Sequence, residues 1–184
     1  MKVETESAMG FKHHFELMAK YNRRMNAQIY EQALKLDQTD LEKDMGAFFG
    51  SVFGTLSHIL VGDLLWLARI KSHSSAYHSL DVVENYPKPS ALNDILWRDI
   101  NDLHQTRIAV DGTIIQWIAE TTESDFDRPF SYKSTQGQEF HKNFAEVLSH
   151  IFNHQTHHRG QVSTLLNQLR CDIGVTDFIV DIPG

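Results

Sequence analysis

Apolar side chains recur at steps of three and four along four long stretches of the chain, which is the spacing of one helix face. Helices are therefore predicted at about Met9–Leu36, Gly46–Lys71, Ser90–Thr122 and Lys142–Leu169. Ser90 is the predicted N-cap of the third helix, because a serine hydroxyl can accept a free backbone amide there. Glycine and proline are almost confined to the joints, so the pattern predicts an all-α four-helix bundle.

The segment between the third and fourth helices has a different pattern. Residues 125–140 alternate aromatic and polar side chains around Gly137, which predicts a short β-hairpin before the last long helix. Residues 1–184 are expected to form a single domain of this four-helix type. The loops at 72–89 and 125–142 are expected to select any substrate, because binding residues concentrate on loops held by a rigid scaffold.

The second helix is apolar on nearly every side, which is typical of a helix at the centre of a bundle. Its apolar stretch, Ser51–Ile70, is interrupted by His58 and Asp63, so a buried core helix is favoured over a membrane span. Asp63 lies on the broad apolar face, where a structural ion pair or hydrogen bond is favoured over a general base. Asn22, inside the first apolar stripe, is likewise interpreted first as a hydrogen-bonding anchor and second as part of a site.

Composition and charge narrow the function classes. The net charge of −7 and the absence of any run of lysine or arginine argue against a nucleic-acid interface. Cys171 is the only cysteine, so there is no intramolecular disulfide, and the acidic, polar segment Met1–Glu6 is unlike a signal peptide. A cytoplasmic protein without a membrane partner is expected. The 11 histidines are roughly two to three times what average composition supplies.

The histidines of the fourth helix differ in their position around the helix axis. His154 and His158 fall on the apolar stripe, whereas His150 and His157 fall on its flank. Two imidazoles one turn apart on one helix face can chelate one metal ion. His58 lies in the middle of the buried second helix and is the predicted third ligand. The alternative, three unrelated core histidines that form hydrogen bonds, stays open at this point.

Three imidazoles with an open fourth position form the coordination expected of a catalytic metal ion. One divalent transition metal ion is therefore expected, with zinc and nickel as the first candidates and cobalt or iron(II) also compatible. The sequence argues against a carboxylate-rich di-metal site, because no Glu-x-x-His lies on an inward helix face. A zincin-type protease is excluded, because the segment His154–His158 contains no glutamate to act as general base.

Three separated motifs resemble the signature of the DinB (damage-inducible)/YfiT-like family. In chain order they are Tyr21–Asn26, Leu56–Asp63 and Asn153–Val162, and the resemblance extends to residues 174–177. It covers nearly the whole chain and implies an up-down-down-up four-helix bundle, a homodimer and a metal ion held by three histidines. Those histidines correspond here to His58, His154 and His158, the same three that the helix faces indicate.

The resemblance implies less about the reaction. Some members of the family are thiol transferases or thiol-dependent isomerases with low-molecular-weight thiols as cosubstrates, and others look like metal-dependent hydrolases. An open three-histidine site supports both, since a metal ion lowers the pKa of a bound thiol or water. A metal-dependent enzyme with a small-molecule substrate is predicted. The alternatives are a non-catalytic metal-binding stress-response protein and, less favoured, a purely structural metal.

Several residues near the predicted ligands have two interpretations each. Arg159 and Gln161 flank the ligands, where they can orient a substrate or form a hydrogen bond to a ligand. His157 can shuttle protons or simply lie at the surface. Cys171 is interpreted as inert packing, and the phenylalanine-rich segment Gly46–Gly50 as core or as a dimer contact.

Overall fold

Long helices account for most of residues 10–134 and 136–184, the part of the chain that the computed structural model describes. The helices are α1 (Phe11–Ala33), α2 (Gln38–Glu42), α3 (Val52–Lys71), α4 (Ile100–Glu120), α5 (Glu123–Phe126) and α6 (Phe144–Gln168). Two strands, β1 (Pro129–Lys133) and β2 (Glu139–Asn143), form an antiparallel hairpin directly before α6. The predicted fold class, a helical protein with a hairpin before its last long helix, is confirmed.

Contacts between side chains fix the directions of the four long helices. Those between α1 and α4 join the start of one helix to the end of the other: Lys12 to Ala119 and Tyr30 to His104. Those between α1 and α6 join corresponding ends: Phe15 to Phe152 and Asn22 to Arg159. Those between α3 and α6 again join opposite ends: His58 to His158 and Trp66 to His150. The order is therefore up-down-down-up, as predicted.

The second long helix begins at Val52 and not at Gly46. Ser51 is its N-cap, and the serine hydroxyl accepts a hydrogen bond from the amide of Gly54 at 3.0 Å. Gly46 and Gly50 both have positive φ, 72° and 75°, which is a conformation that ends a right-handed helix. The segment Gly46–Gly50 is thus a turn, and Phe48 within it is 86% exposed rather than part of the core.

The third long helix begins at Ile100, ten residues after the predicted start. Ser90 is not its N-cap; Asp99 is, and its carboxylate accepts a backbone amide of the first turn at 2.8 Å. The Ser90 amide and hydroxyl instead donate to the carboxylate of Asp94, at 2.6 and 2.9 Å. Such local side-chain bonds stabilise a turn in competition with a helix. Leu92, which falls within the predicted helix, lies in this turn instead and is 51% exposed.

The remaining predicted boundaries agree to within two or three residues. The predicted start of the first helix, Met9, lies outside the described residues, and α1 ends at Ala33. The last helix begins at Phe144, because the Asn143 side chain caps it by accepting the amide of Glu146 at 3.1 Å.

Helix α3 has a larger share of buried residues than the other three long helices. Within the described residues it is the one helix long and apolar enough to cross a membrane, by length and composition only. Because 72% of its apolar window is buried inside the protein, it has the character of a core helix.

The C-terminal segment contacts the outer side of α1. The Phe178 ring packs edge-on against Tyr21 at 5.1 Å between centroids, and Asp181 pairs with Arg24 at 2.6 Å. Side chains of α1 also donate to backbone carbonyls of the tail, so the tail packs on the body of the protein. Its aliphatic residues remain largely exposed: Ile179 at 70% and Val180 at 63%.

Candidate metal centre

Helices α3 and α6 bring the three predicted histidines together. His58 comes from α3, and His154 and His158 come from successive turns of α6. The Nε2 atom of His58 lies 3.1 Å from that of His154 and 3.2 Å from that of His158. All three rings offer a nitrogen to one small volume, so the group can hold a metal ion.

These separations agree with the coordination of one ion. With a metal–nitrogen distance of about 2.05 Å, two imidazole nitrogens lie roughly 3.3 Å apart in a tetrahedral site and roughly 2.9 Å apart at a right angle. The observed separations of 3.1 and 3.2 Å fall between these values. The geometry is therefore compatible with tetrahedral zinc and with octahedral nickel or iron.

The far side of two of the rings is hydrogen-bonded to oxygen. The Nδ1 atom of His58 donates to the backbone carbonyl of Leu92 at 2.7 Å, and a carbonyl can only accept. The Nδ1 atom of His158 lies 2.8 Å from Oε1 of Gln161, whose amide nitrogen lies 3.2 Å from a ring nitrogen of His157. In the neutral rings, Nε2 of His58 and of His158 therefore carries a lone pair and points at the other. A cation between them removes the repulsion that two such lone pairs would otherwise have.

Burial keeps the three rings neutral. It lowers the pKa of His58, His154 and His158 below the usual histidine value, because the charged form loses its hydration. The effect is largest at His154, where burial and the neighbouring histidines together lower the pKa to about 3. Neutral imidazole is the form that binds a metal ion.

Two neighbouring residues shape the space around the rings. A Cβ atom at Gly62 would lie 3.0 Å from Cε1 of His154, so the glycine makes room for this ring on α6. Phe49 stacks on His58 at 3.7 Å between centroids and meets His158 edge-on at 5.5 Å. Phe49 thereby covers the two buried histidines, whereas His154 remains partly exposed. His154 is therefore the most solvent-exposed of the three rings.

A network of buried charges lies in the core beside the histidines. Asp63, directly after Gly62, pairs with Arg107 of α4 and accepts a hydrogen bond from Gln155 at 2.8 Å. Arg107 also lies 2.9 Å from Asp111 on the next turn of α4. The prediction that Asp63 has a structural partner is confirmed.

The network continues to α1 and α6 through Asn22. The amide nitrogen of Asn22 donates to Asp111 at 3.1 Å, and its oxygen accepts from Arg159. Asn22 is thus a hydrogen-bonding anchor, the favoured interpretation. Burial lowers the pKa of Arg159 to about 10, and its second contact is the Thr156 hydroxyl at 3.1 Å. Arg159 therefore holds α6 to α1, whereas Gln161 forms a hydrogen bond to the candidate ligand His158.

The sequence did not point to Leu92. Leu92 acts through its backbone carbonyl, and no residue type signals a contact of this kind. The predicted helix Ser90–Thr122 includes Leu92, and within a helix this carbonyl would accept a backbone hydrogen bond instead. The two flank histidines, His150 and His157, are exposed. Cys171 is partly exposed beyond the end of α6.

Substitution of Gln161 by leucine is expected to weaken metal binding about 10- to 100-fold, the usual effect of removing the partner that orients a histidine ligand. The His158 ring would lose the acceptor that fixes its Nδ1 proton. Competition with a chromophoric chelator measures the change in affinity. Gln168→Leu, at an exposed glutamine near the end of the same helix, is the matched control. Equal affinities of the two variants would contradict the orienting role.

Comparison with known proteins adds a family assignment to this geometry. The sequence matches the family described as "DinB family" over residues 1–183. It is also similar to "Protein DinB" of Bacillus subtilis (strain 168), with 21% identity over 158 residues. That alignment covers 86% of this chain and 87% of the relative.

Proposed function

We propose, since this chain belongs to the DinB family, that it is a metal-dependent enzyme with one divalent transition metal ion at its three-histidine cluster. The ligands would be His58, His154 and His158, with zinc or nickel as the first candidates. One observation carries this proposal: three ring nitrogens lie as close together as the ligands of a single metal ion. In His58 and His158 the nitrogen that faces the cluster carries a lone pair and not a proton.

The surroundings of the cluster support a catalytic rather than a structural centre. Three imidazoles leave coordination positions free, and the partly exposed His154 side gives access to them. A bound metal ion supplies Lewis acidity, which lowers the pKa of a thiol or a water molecule toward neutrality. The chain contributes Phe49, which shields the buried rings from water, and Leu92 and Gln161, which orient them.

The proposed substrate is a small molecule that reacts with an activated thiol or water, so a low-molecular-weight thiol is the first cosubstrate to examine. A structural role for the metal is disfavoured by the size of the core, which surrounds the bundle axis independently of the three histidines. The homodimer and the cytoplasmic location remain predictions.

Metal removal and restoration test the proposal. The purified, untagged protein is expected to contain about one equivalent of a transition metal per chain in elemental mass spectrometry. Thiol-transfer or hydrolytic activity found in a substrate screen should disappear after treatment with a chelator and return when the metal is restored. The helical circular dichroism signal should stay unchanged throughout, because the core is apolar.

Each other outcome favours a rival interpretation. Unfolding of the protein on metal removal would show that the centre is structural. Bound metal without turnover of any thiol or ester substrate would favour the non-catalytic metal-binding protein. Absence of metal after zinc and nickel are offered would leave three core histidines and no function at this place.

A further inference from the structure

A continuous row of aromatic rings leads away from the accessible side of the histidine cluster. The His154 ring lies 6.2 Å from that of His150, one turn earlier on α6. The His150 ring lies 5.4 Å from Trp66 of α3, which in turn lies 5.0 Å from Tyr132 of β1. These side chains are at least partly exposed, so the row is a surface that a bound molecule can contact.

Arg69 lies at the far end of this row. Its guanidinium carbon lies 4.7 Å from the centre of the Trp66 ring and 5.5 Å from that of Tyr132. The side chain is partly buried, and this burial lowers its pKa. Cation–π contacts with two rings fix the position of the guanidinium.

Arg69 differs from the other buried or partly buried arginines, because its guanidinium has no polar side-chain partner in the part of the chain that the structure describes. Arg24 pairs with Asp181, and Arg107 pairs with Asp63 and Asp111. Arg159 has no carboxylate partner among the described residues, but it donates to the side-chain oxygens of Asn22 and Thr156. By contrast, the Arg69 side chain forms no ion pair with a carboxylate and no hydrogen bond within residues 10–134 and 136–184. A fixed, partly desolvated cation without a carboxylate partner is a ready binding position for an anion.

We propose that Arg69 binds a carboxylate of the substrate while the reacting group of the same molecule lies at the three-histidine cluster. This inference rests on the proposed function and adds a substrate class to it. Trp66 lies eight residues beyond His58 on α3, a rise of about 12 Å, and the guanidinium lies over its ring. The substrate is thus an elongated organic acid whose carboxylate and reacting group are separated by roughly 12 Å along the α3 axis.

The chemistry of the row supports a carboxylate as the bound group. The rings of Trp66 and Tyr132 lie against the guanidinium, so its in-plane N–H groups are the donors left for a ligand. Those donors match the two oxygens of a planar carboxylate. The aromatic side chains between Arg69 and His154 offer an apolar contact for the body of the molecule.

A probe with a metal-binding group at one end and a carboxylate at the other tests this inference without knowledge of the reaction. Sebacic acid monohydroxamate has about the required span, and its methyl ester is the neutral match. Both are titrated into cobalt(II)-loaded protein, and the visible absorption of cobalt reports binding. The acid is expected to bind wild-type protein about tenfold more tightly than the ester. Arg69→Gln should abolish that difference, whereas Arg23→Gln, at an exposed arginine of α1, should preserve it.

The outcomes separate failure of the inference from failure of the proposed function. Equal binding of acid and ester by wild-type protein, or a preference that survives in Arg69→Gln, would overturn the role of Arg69 and leave the metal centre intact. A protein that takes up cobalt but shows no spectral response to either hydroxamate would lack an open position. A protein that takes up no cobalt would lack the centre altogether, and in both of these cases the proposed function and the inference fail together.

Discussion

Replacement of His58 by alanine is expected to reduce the metal content of the purified protein from about one equivalent per chain to a trace. The change removes the single ligand supplied by α3 and leaves only the pair on successive turns of α6. The bundle should stay folded, because its core is built from apolar residues of all four long helices. Elemental mass spectrometry measures the metal, and circular dichroism measures the helix content.

His150→Ala is the matched control for this experiment. His150 lies on α6 one turn before His154, on the flank of the apolar stripe, and it is exposed and outside the cluster. Its replacement should leave the metal content unchanged. Full metal content in the His58 variant, or equal loss in the His150 variant, would show that the metal is bound elsewhere.

Replacement of Arg107 by methionine is expected to lower the free energy of unfolding by about 3–5 kcal/mol. Arg107 is 2% exposed, and it is the cation that lies between the buried carboxylates of Asp63 and Asp111. Methionine fills a similar volume but leaves both carboxylates without their ion pair. Urea denaturation of the metal-free protein measures the free energy, and metal-free protein is used so that ligand binding does not contribute.

The control for this prediction is Arg128→Met, which removes an arginine that also pairs with an aspartate. The Arg128 side chain is 56% exposed, and its ion pair with Asp125 is near the surface. Its loss should change the free energy of unfolding by at most about 1 kcal/mol. A similarly small change in the Arg107 variant would indicate that the buried carboxylates take up protons and do not depend on the arginine.

The candidate site was accessible to sequence analysis because helical periodicity carries direct spatial information. Residues four apart lie on one face, so His154 and His158 had to point the same way once α6 was helical. The apolar surroundings of His58 likewise indicated a buried position. The structure brings these three rings together, and metal binding by them is what the experiments above decide.

The boundaries of α3 and α4 were the weak part of the sequence-based prediction. Both helices start later than the periodicity predicts, because local hydrogen bonds and glycine conformations decide at which residue a helix begins. Ser90 and Asp94 bind each other in a turn, and Gly46 and Gly50 adopt positive φ. An apolar residue before a helix start fits the helical pattern as well as one within it, so periodicity does not separate them.

The sequence by itself determined the helical class, the hairpin and the histidines that share a helix face, because these depend on residues close together along the chain. Tertiary structure alone decided which atoms support and extend the site. The Leu92 carbonyl, which lies in a loop, accepts a hydrogen bond from His58. Tyr132, which lies in the hairpin, forms a cation–π contact with Arg69. Such contacts join distant segments through a backbone oxygen or through ring geometry. Their physical basis is the packing of whole elements, which no local pattern of residue types encodes.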